Sequence, residues 1–286
     1  MFQHVERFNF TAAGGSSLYD YTYGLTTGTQ DANQADGTTR SIDLYPFVWL
    51  ARDGRERIGN GADIKNIGVN ATDIPADWPD NSAGTFDMVI TSWDLMSNVA
   101  FNEWDIELDS NGDGIADQTI ALADRGLVNG DSADGTLGCF LIDHLAWNGV
   151  VDGLYDLTGD DCSAYADPIS SVVNFSIKQG YLWDTDAVGG AKFKVSSYNG
   201  GGWDSDSTGS AWLFVSYDDV ATSGQFVSDL SIASGASGDT ETGALPTLGH
   251  PSVGGTTTSL GWLIWNEFNA GTSSEVYEIL VPPAAS

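Results

Sequence analysis

Short apolar or alternating segments recur along this chain, and Gly, Asp, Asn and Ser separate them. Helical periodicity is nearly absent, and the segments are rich in Val, Ile, Phe, Trp and Tyr, which fit a pleated, half-buried surface. With 35 glycines at turn spacing, the pattern predicts an all-β fold. We expect an antiparallel β-sandwich, jelly-roll or immunoglobulin-like, with long Gly/Asp-rich loops. The predicted strands are 42–50, 63–70, 85–93, 104–108, 118–123, 171–177, 192–198, 210–217, 262–265 and 275–281.

The same pattern predicts how some segments are buried. Residues 192–198 alternate between apolar and polar side chains, which is typical of a strand with one wet face. Residues 211–217 are apolar throughout the middle of the run, which favours a central strand covered on both faces. Residues 137–150 are predicted to hold a helical turn or two. Residues 231–258 contain few large apolar side chains, so we expect a long surface excursion there.

The chain is strongly acidic, with 10 Lys plus Arg against 40 Asp plus Glu and a net charge of -30. Such a charge repels a phosphate backbone, which excludes nucleic acid as a partner. It favours either simple solubility or several bound cations. No run of about 18 apolar residues is present, so we expect no membrane span. The first residues lack the pattern of a signal peptide, so the chain either begins at its mature start or is a piece of a longer protein.

The only two cysteines are Cys139 and Cys162. We expect them to form one disulfide, because the rest of the chain has the character of a secreted protein. The alternative is a pair of buried free thiols. Since no CxxC or CxxCH motif is present, the sequence gives no support for a zinc site or a c-type haem.

One acidic segment has the spacing of a cation-binding loop. A strand-like run ending at residue 108 leads into Asp109, Asn111 and Asp113, and Asp117 follows. Hard cations take several oxygen ligands at once, and alternating Asp and Asn before a glycine supply them from one loop. We therefore predict a Ca²⁺ site formed by these four residues, in which calcium joins the flanking strands and has no catalytic part. The alternative is a solvated turn. Weaker candidate ligands are Asp160, Asp161, Asp184, Asp186, Asp204 and Asp206.

Three segments resemble the C-terminal accessory region of large secreted subtilisin-like serine proteases. They are residues 59–70, residues 105–117, with Trp104 where the family pattern has Phe, and residues 261–271, which contain a Gly-Trp-Leu strand followed by a turn. The resemblance covers roughly residues 59–281 and implies a non-catalytic β-structure. It predicts a calcium-stabilised β-sandwich at 59–286. Residues 1–58 have no counterpart and are predicted to form a strand or arm region, within the same fold or exchanged between subunits.

The sequence does not predict an enzyme. In the family that the chain resembles, the protease domain carries the catalytic Asp, His and Ser, and the motifs around that Ser and His are absent here. No Gly-x-Ser-x-Gly nucleophile elbow is present either. His144 is the only histidine in an apolar, ordered-looking segment, and we expect a structural role for it. Acids beside aromatics, as at Trp183–Asp184 and Trp203–Asp204, are expected to be turn residues or cation ligands.

Three functions remain open. The first is a secreted or cell-surface accessory module that stabilises a protease domain or attaches it to a surface polymer or substrate. The second is a subunit that self-assembles into an extracellular filament or surface layer, since an unpaired edge strand can pair with another chain. The third is carbohydrate binding through exposed aromatics among the 10 Trp, although most Trp side chains pack in cores.

Overall fold

The architecture comes from a computed structural model of the chain. It describes residues 5–13, 18–27, 39–56, 62–72, 85–96, 101–144, 153–159, 161–166, 171–178, 181–182, 190–199, 205–209, 211–216, 227–233, 240–244, 248–249, 259–266 and 275–280. The strands are β1 (Val5–Ala13), β2 (Leu18–Thr27), β3 (Thr39–Arg52), β4 (Ile64–Thr72), β5 (Thr85–Ser92), β6 (Asn102–Leu108), β7 (Gln118–Asp124), β8 (Leu137–Asp143), β9 (Gly153–Asp156), β10 (Cys162–Ala166), β11 (Val172–Lys178), β12 (Gly190–Asn199), β13 (Ser205–Ser207), β14 (Leu213–Ser216), β15 (Val227–Ala233), β16 (Thr240–Ala244), β17 (Leu248–Gly249), β18 (Gly261–Asn266) and β19 (Glu275–Leu280).

These strands form antiparallel sheets, which confirms the predicted all-β fold. The eight-stranded sheet has the order β10-β11-β5-β4-β3-β18-β19, and β15 also pairs with β3. The seven-stranded sheet has the order β13-β12-β6-β7-β8-β9, and β14 also pairs with β12. A four-stranded sheet contains β1, β2, β16 and β17. Strand β3 precedes the predicted boundary at residue 58 and pairs with both β4 and β18 in the eight-stranded sheet.

The main core contains buried side chains of both large sheets, as a sandwich requires. Along β6 the inward positions Trp104, Ile106 and Leu108 are buried and alternate with more exposed acids. Phe86 on β5 meets Phe193 on β12 edge-on, with ring centroids 6.3 Å apart. The period-two alternation in the sequence therefore marks the faces that pack together.

The predicted disulfide is confirmed. Cys139 on β8 and Cys162 on β10 are bridged, with their Cα atoms 6.1 Å apart. Strand β8 belongs to the seven-stranded sheet and β10 to the eight-stranded sheet, so the bridge joins the two sheets covalently. A crosslink that closes a loop of this length stabilises the fold by roughly 3 kcal/mol.

A smaller apolar cluster is formed by side chains from strands of the eight-stranded sheet, including Phe47, Trp49, Val89 and Leu263. Gly68 on β4 lies among these side chains. A Cβ atom at Gly68 would lie 2.9 Å from side-chain atoms of Leu263, Phe47 and Val89. Glycine therefore permits close packing of the strands at this point.

Each of the ten predicted strands overlaps a strand in the structure, but three other segments differ from what was predicted in the part that the structure describes. Residues 137–143 of the predicted helical segment form β8 instead, whose side chains contribute to the core, and residues 145–150 lie outside the described residues. The segment 211–217 holds a strand, β14, but it pairs only with β12 among the described strands, and Leu213 and Phe214 are half-buried. The predicted excursion at 231–258 contains β16 and β17, which pair with β2. The described helix, α1 (Arg125–Val128), has four residues, so no described helix is long enough to cross a membrane.

Candidate metal centre

The predicted calcium ligands lie in the loop that joins the adjacent antiparallel strands β6 and β7. We call residues 109–117 the acidic loop. Its base is closed by a hydrogen bond from the backbone N–H of Asp117 to the carbonyl oxygen of Leu108, at 2.7 Å. Gly112 and Gly114 have φ values of 80° and 89°, which are readily available to glycine. The Asn-Gly-Asp-Gly sequence therefore allows the chain to turn tightly here.

Asp117 closes the acidic loop from its last position. Its carboxylate is buried and accepts hydrogen bonds from the backbone N–H and hydroxyl of Ser110, at 2.9 and 2.7 Å. It also accepts from the backbone N–H and side-chain amide of Asn111, at 3.1 and 3.0 Å. Two of the four predicted ligands, Asn111 and Asp117, are therefore in direct contact.

Asp109 is the most buried member of the acidic loop, with 0% of its surface exposed. Its carboxylate accepts from the backbone N–H groups of Gly112 and Gly114, at 2.7 and 2.9 Å. Lys192 on β12 places its Nζ atom 2.5 Å from Asp109 Oδ2. Burial by itself would raise the pKa of Asp109, but the hydrogen bonds from Lys192, Gly114 and Gly112 outweigh it and lower the pKa. The charge of Asp109 is therefore compensated within the protein.

Asn111 and Asp113 lie at the exposed tip of the loop. The side-chain oxygen of Asn111 accepts from the backbone N–H of Asp113 at 2.9 Å, and Asp113 accepts from that of Ile115 at 2.8 Å. The structure thus brings all four predicted ligands into one loop, but it does not gather their three carboxylates to a common point in the manner of the cluster described next. Cation binding by these residues stays a prediction.

A second acidic site joins the two large sheets. Asp53 and Glu56 follow β3, and Asp206 lies on β13. Among the described residues, these three form the only group of three or more acids, histidines or cysteines in which one ligand atom from each lies within 4.8 Å of the others. Asp206 also accepts a hydrogen bond from the backbone N–H of Ile64, the first residue of β4, at 2.7 Å. We call Asp53, Glu56 and Asp206 the inter-sheet cluster.

The inter-sheet cluster retains charge repulsion. The charge of Asp206, followed by that of Asp53, raises the pKa of Glu56. Burial is the largest cause of the raised pKa of Asp206; the backbone N–H groups of Ile64 and Ser207 oppose it, and the charges of Asp53 and Asp63 add to it. A proton or a cation would relieve this repulsion. The sequence pointed only to Asp206, because Asp53 and Glu56 are far from it along the chain and share no motif with it.

Asp161, another weak candidate ligand, is paired with a lysine and a tyrosine. Its carboxylate lies 2.9 Å from Lys178 Nζ and accepts a hydrogen bond from the Tyr181 hydroxyl, also at 2.9 Å. The hydrogen bond from Lys178, followed by that from Tyr181, lowers the pKa of Asp161. These contacts account for this acid without a metal. The remaining weak candidates lie outside the described residues; they are Asp160, Asp184, Asp186 and Asp204.

Two further acids with raised pKa values occupy the more exposed face of β6. Burial raises the pKa of Glu103, and a hydrogen bond with Asp105 opposes the effect. Burial, followed by the charge of Glu103, raises the pKa of Asp105 to about 7. Alternation along a strand puts both side chains on one face. No motif in the sequence distinguished this pair from the other acids.

His144 contacts a hydroxyl, but that hydroxyl is not exposed. Its Nε2 atom lies 2.9 Å from the Oγ1 atom of Thr119. Thr119 is only 6% exposed and lies on β7 between two paired strands. A nucleophile must be accessible to substrate and activated by a base. The contact therefore supports the predicted structural role for His144, and the absence of catalysis stays a prediction.

Each described tryptophan is either buried or has a cation over its ring. The buried ones are Trp49, Trp104, Trp262 and Trp265. Trp93 has the guanidinium of Arg52 and the ammonium of Lys65 over its ring, 5.8 and 5.1 Å from the centroid. Lys194 lies 4.3 Å from the ring centroid of Trp212. Cations on these rings compete with stacking by a sugar. The other four tryptophans lie outside the described residues; they are Trp78, Trp147, Trp183 and Trp203.

Comparison with known proteins gives no relative. No family model matches the chain, and neither a curated protein nor a solved structure matches it. The resemblance to the accessory region of subtilisin-like proteases therefore rests on residues 59–70, 105–117 and 261–271 and stays a prediction. The fold and the disulfide define the class of protein: a disulfide-bridged, all-β sandwich.

Proposed function

We propose that the chain is an extracellular, non-catalytic β-sandwich module that binds Ca²⁺ as a structural ion in the acidic loop. The observation that carries this proposal is that Asp109, Asn111, Asp113 and Asp117 supply oxygen atoms from one short, glycine-containing loop between central strands. Asp113 is exposed and has a carboxylate that a cation can reach. The resemblance to a protease accessory region favours a role in stabilising an enzyme or attaching it to a surface.

The overall charge supports a need for cations. Forty acids against ten basic residues give a net charge of -30, and such an excess destabilises a compact state through self-repulsion. The inter-sheet cluster shows this repulsion locally, because the neighbouring charges raise the pKa of Glu56. A divalent ion at the inter-sheet cluster would lower this local repulsion, and one in the acidic loop would reduce the overall negative charge. A bound ion stabilises the folded state by mass action.

Thermal unfolding in calcium and in EDTA tests the proposal. At 100 times the dissociation constant a ligand stabilises the folded state by about 2.7 kcal/mol, so we expect calcium to raise the Tm. Asp113→Ala is expected to remove most of this shift. Asp134→Ala is a matched control, because Asp134 is also exposed, precedes a glycine with positive φ, and accepts from the N–H two residues later. It should keep the full calcium shift.

Two results would contradict the proposal. The first is an identical Tm in calcium and EDTA. The second is an equal calcium shift in Asp113→Ala, Asp134→Ala and the unmodified protein, which would remove the acidic loop as the site. Sedimentation in millimolar calcium addresses the alternative function: a monomer agrees with an accessory module, whereas ordered filaments or sheets would favour a self-assembling subunit.

A further inference from the structure

Lys192 brings a positive charge into the acidic loop from a different strand. It lies on β12, which pairs with β6, and its carbonyl oxygen accepts a hydrogen bond from the backbone N–H of Asp109 at 2.8 Å. Its ammonium lies 2.5 Å from Asp109 Oδ2 and 3.5 Å from the carbonyl oxygen of Gly112. The backbone contact fixes the start of the Lys192 side chain at the base of the loop.

The ammonium contacts the kinds of oxygen that a metal ion would use. Calcium is bound by carboxylate and backbone carbonyl oxygens, and Lys192 contacts one of each, on Asp109 and Gly112. Asp109 is fully buried, so its charge needs a compensating partner. A divalent cation at Asp109 Oδ2 would lie within a few ångströms of the ammonium and would be repelled by it.

We infer that Lys192 is a built-in cation of the acidic loop, which a metal ion must displace in order to bind Asp109. The inference rests on the proposed calcium site. It makes Lys192 a competitor that lowers the affinity of that site for a metal ion. Without metal, Lys192 neutralises Asp109 and keeps the loop closed. With metal, the ammonium leaves Asp109, and the flexible side chain can reach solvent near Trp212, whose ring centroid lies 5.6 Å from Nζ.

Lys194 provides a matched control for Lys192. The two residues are two positions apart on β12 and therefore lie on the same face. Both ammonium groups lie over the ring of Trp212. Lys192 also contacts Asp109, whereas Lys194 lies opposite Glu107 in the strand pairing. Substituting either lysine by methionine removes one charge and keeps most of the apolar stem.

Calorimetric calcium titration of the unmodified protein, Lys192→Met, Lys194→Met and Asp113→Ala tests the inference. We expect Lys192→Met to bind calcium at least about tenfold more tightly than the unmodified protein, because the competing charge is gone. Lys194→Met should differ much less. In EDTA, Lys192→Met should have a lower Tm than Lys194→Met, because Asp109 has lost its partner. Calcium should then raise the Tm of Lys192→Met more than that of the other proteins.

The outcomes separate this inference from the proposed function. Equal calcium affinity in Lys192→Met and the unmodified protein, together with lost binding in Asp113→Ala, would overturn the inference and leave the calcium site intact. Binding by Lys192→Met but not by the unmodified protein would support the inference and overturn calcium binding as the native function. Absence of binding in every variant would overturn both.

Discussion

The acidic loop and the inter-sheet cluster hold their negative charge in opposite ways. In the loop, Asp109 is fully buried but accepts hydrogen bonds from two backbone N–H groups and from Lys192, which together lower its pKa. In the cluster, Glu56 is exposed, yet the charges of Asp206 and Asp53 raise its pKa. The degree of burial therefore does not decide whether the pKa of an acid is raised or lowered. The hydrogen-bond donors and charges around the acid decide it.

The difference follows from how each site is built. The acidic loop is a local structure, in which Asp and Asn side chains bond to backbone groups a few positions away, as these residues commonly do in turns. The inter-sheet cluster is tertiary, because β13 of one sheet brings Asp206 to the residues that follow β3 of the other. The loop obtains most of its hydrogen bonds from its own backbone, and Lys192 of β12 supplies its one countercharge from outside the loop. A site assembled from distant segments depends on what each of them contributes.

Removing the disulfide is expected to have the largest effect. A variant with both Cys139→Ala and Cys162→Ala should lose about 3 kcal/mol of unfolding free energy, because the unfolded chain regains conformational freedom. Urea unfolding measures the loss. If the acidic loop is self-contained, the cost of Asp109→Asn should be the same with and without the bridge, since independent sites are additive. Strong non-additivity would show that the acidic loop depends on the disulfide between the sheets, and the loop would then not be the local structure described above.

Asp109→Asn is expected to have the next largest effect. An amide leaves the ammonium of Lys192 without its countercharge and cannot accept from both Gly112 and Gly114 as the carboxylate does. Because Lys192 is partly exposed, we expect a loss of about 2–3 kcal/mol, somewhat below the cost of breaking a fully buried ion pair. Chemical unfolding at pH 7 measures it, with exposed Asp131→Asn as the control. A loss no larger than that of the control would mean that the loop does not need its internal countercharge.

The sequence predicted the regular parts of the fold well. Segments 104–108 and 192–198 were both predicted as strands, and alternation along 192–198 predicted one wet face, because such a strand shows a period of two. That these two strands pair with each other is seen only in the structure. The disulfide was predicted from the number of cysteines and the secreted character of the chain. The acidic loop was found because its residues are close together in the sequence, although the sequence could not show that Lys192 contacts Asp109.

Other features depended on contacts that no local pattern reveals. The apolar run at 211–217 favoured a central strand, yet β14 pairs only with β12 among the described strands; hydrophobicity does not show how many neighbours a strand has. In the sequence, Asp206 belongs to one of several similar Asp pairs, and only the fold shows that it lies beside Asp53 and Glu56. The strands β16 and β17 of the four-stranded sheet also escaped prediction, because they contain few large apolar residues.

Glu56→Gln is expected to have the smallest effect, and it tests whether the charge of Glu56 is repelled by its neighbours in the inter-sheet cluster. An acid with a raised folded pKa binds its proton more tightly in the folded state, so its contribution to stability falls as pH rises from the unfolded value, 4.5 for Glu56, through the folded value. Asp109 has the opposite sign, because its lowered pKa contributes stability that is lost as pH falls below 3.8. Glu56→Gln should therefore match the unmodified protein at pH 3 and be more stable at pH 7.

The measurement is the Tm from pH 3 to 8 for Glu56→Gln, for the unmodified protein and for Asp131→Asn, all in EDTA. Asp87 and Asp105, with pKa values raised to about 6 and about 7, contribute a similar fall with pH to every protein, so only the difference between proteins is informative. A Glu56→Gln variant that is less stable than the unmodified protein at pH 7 would show that Glu56 attracts a partner in the cluster. The acids of both sites would then stabilise the fold in their charged forms. The argument for a cation at the inter-sheet cluster, which rests on repulsion there, would lose its physical basis.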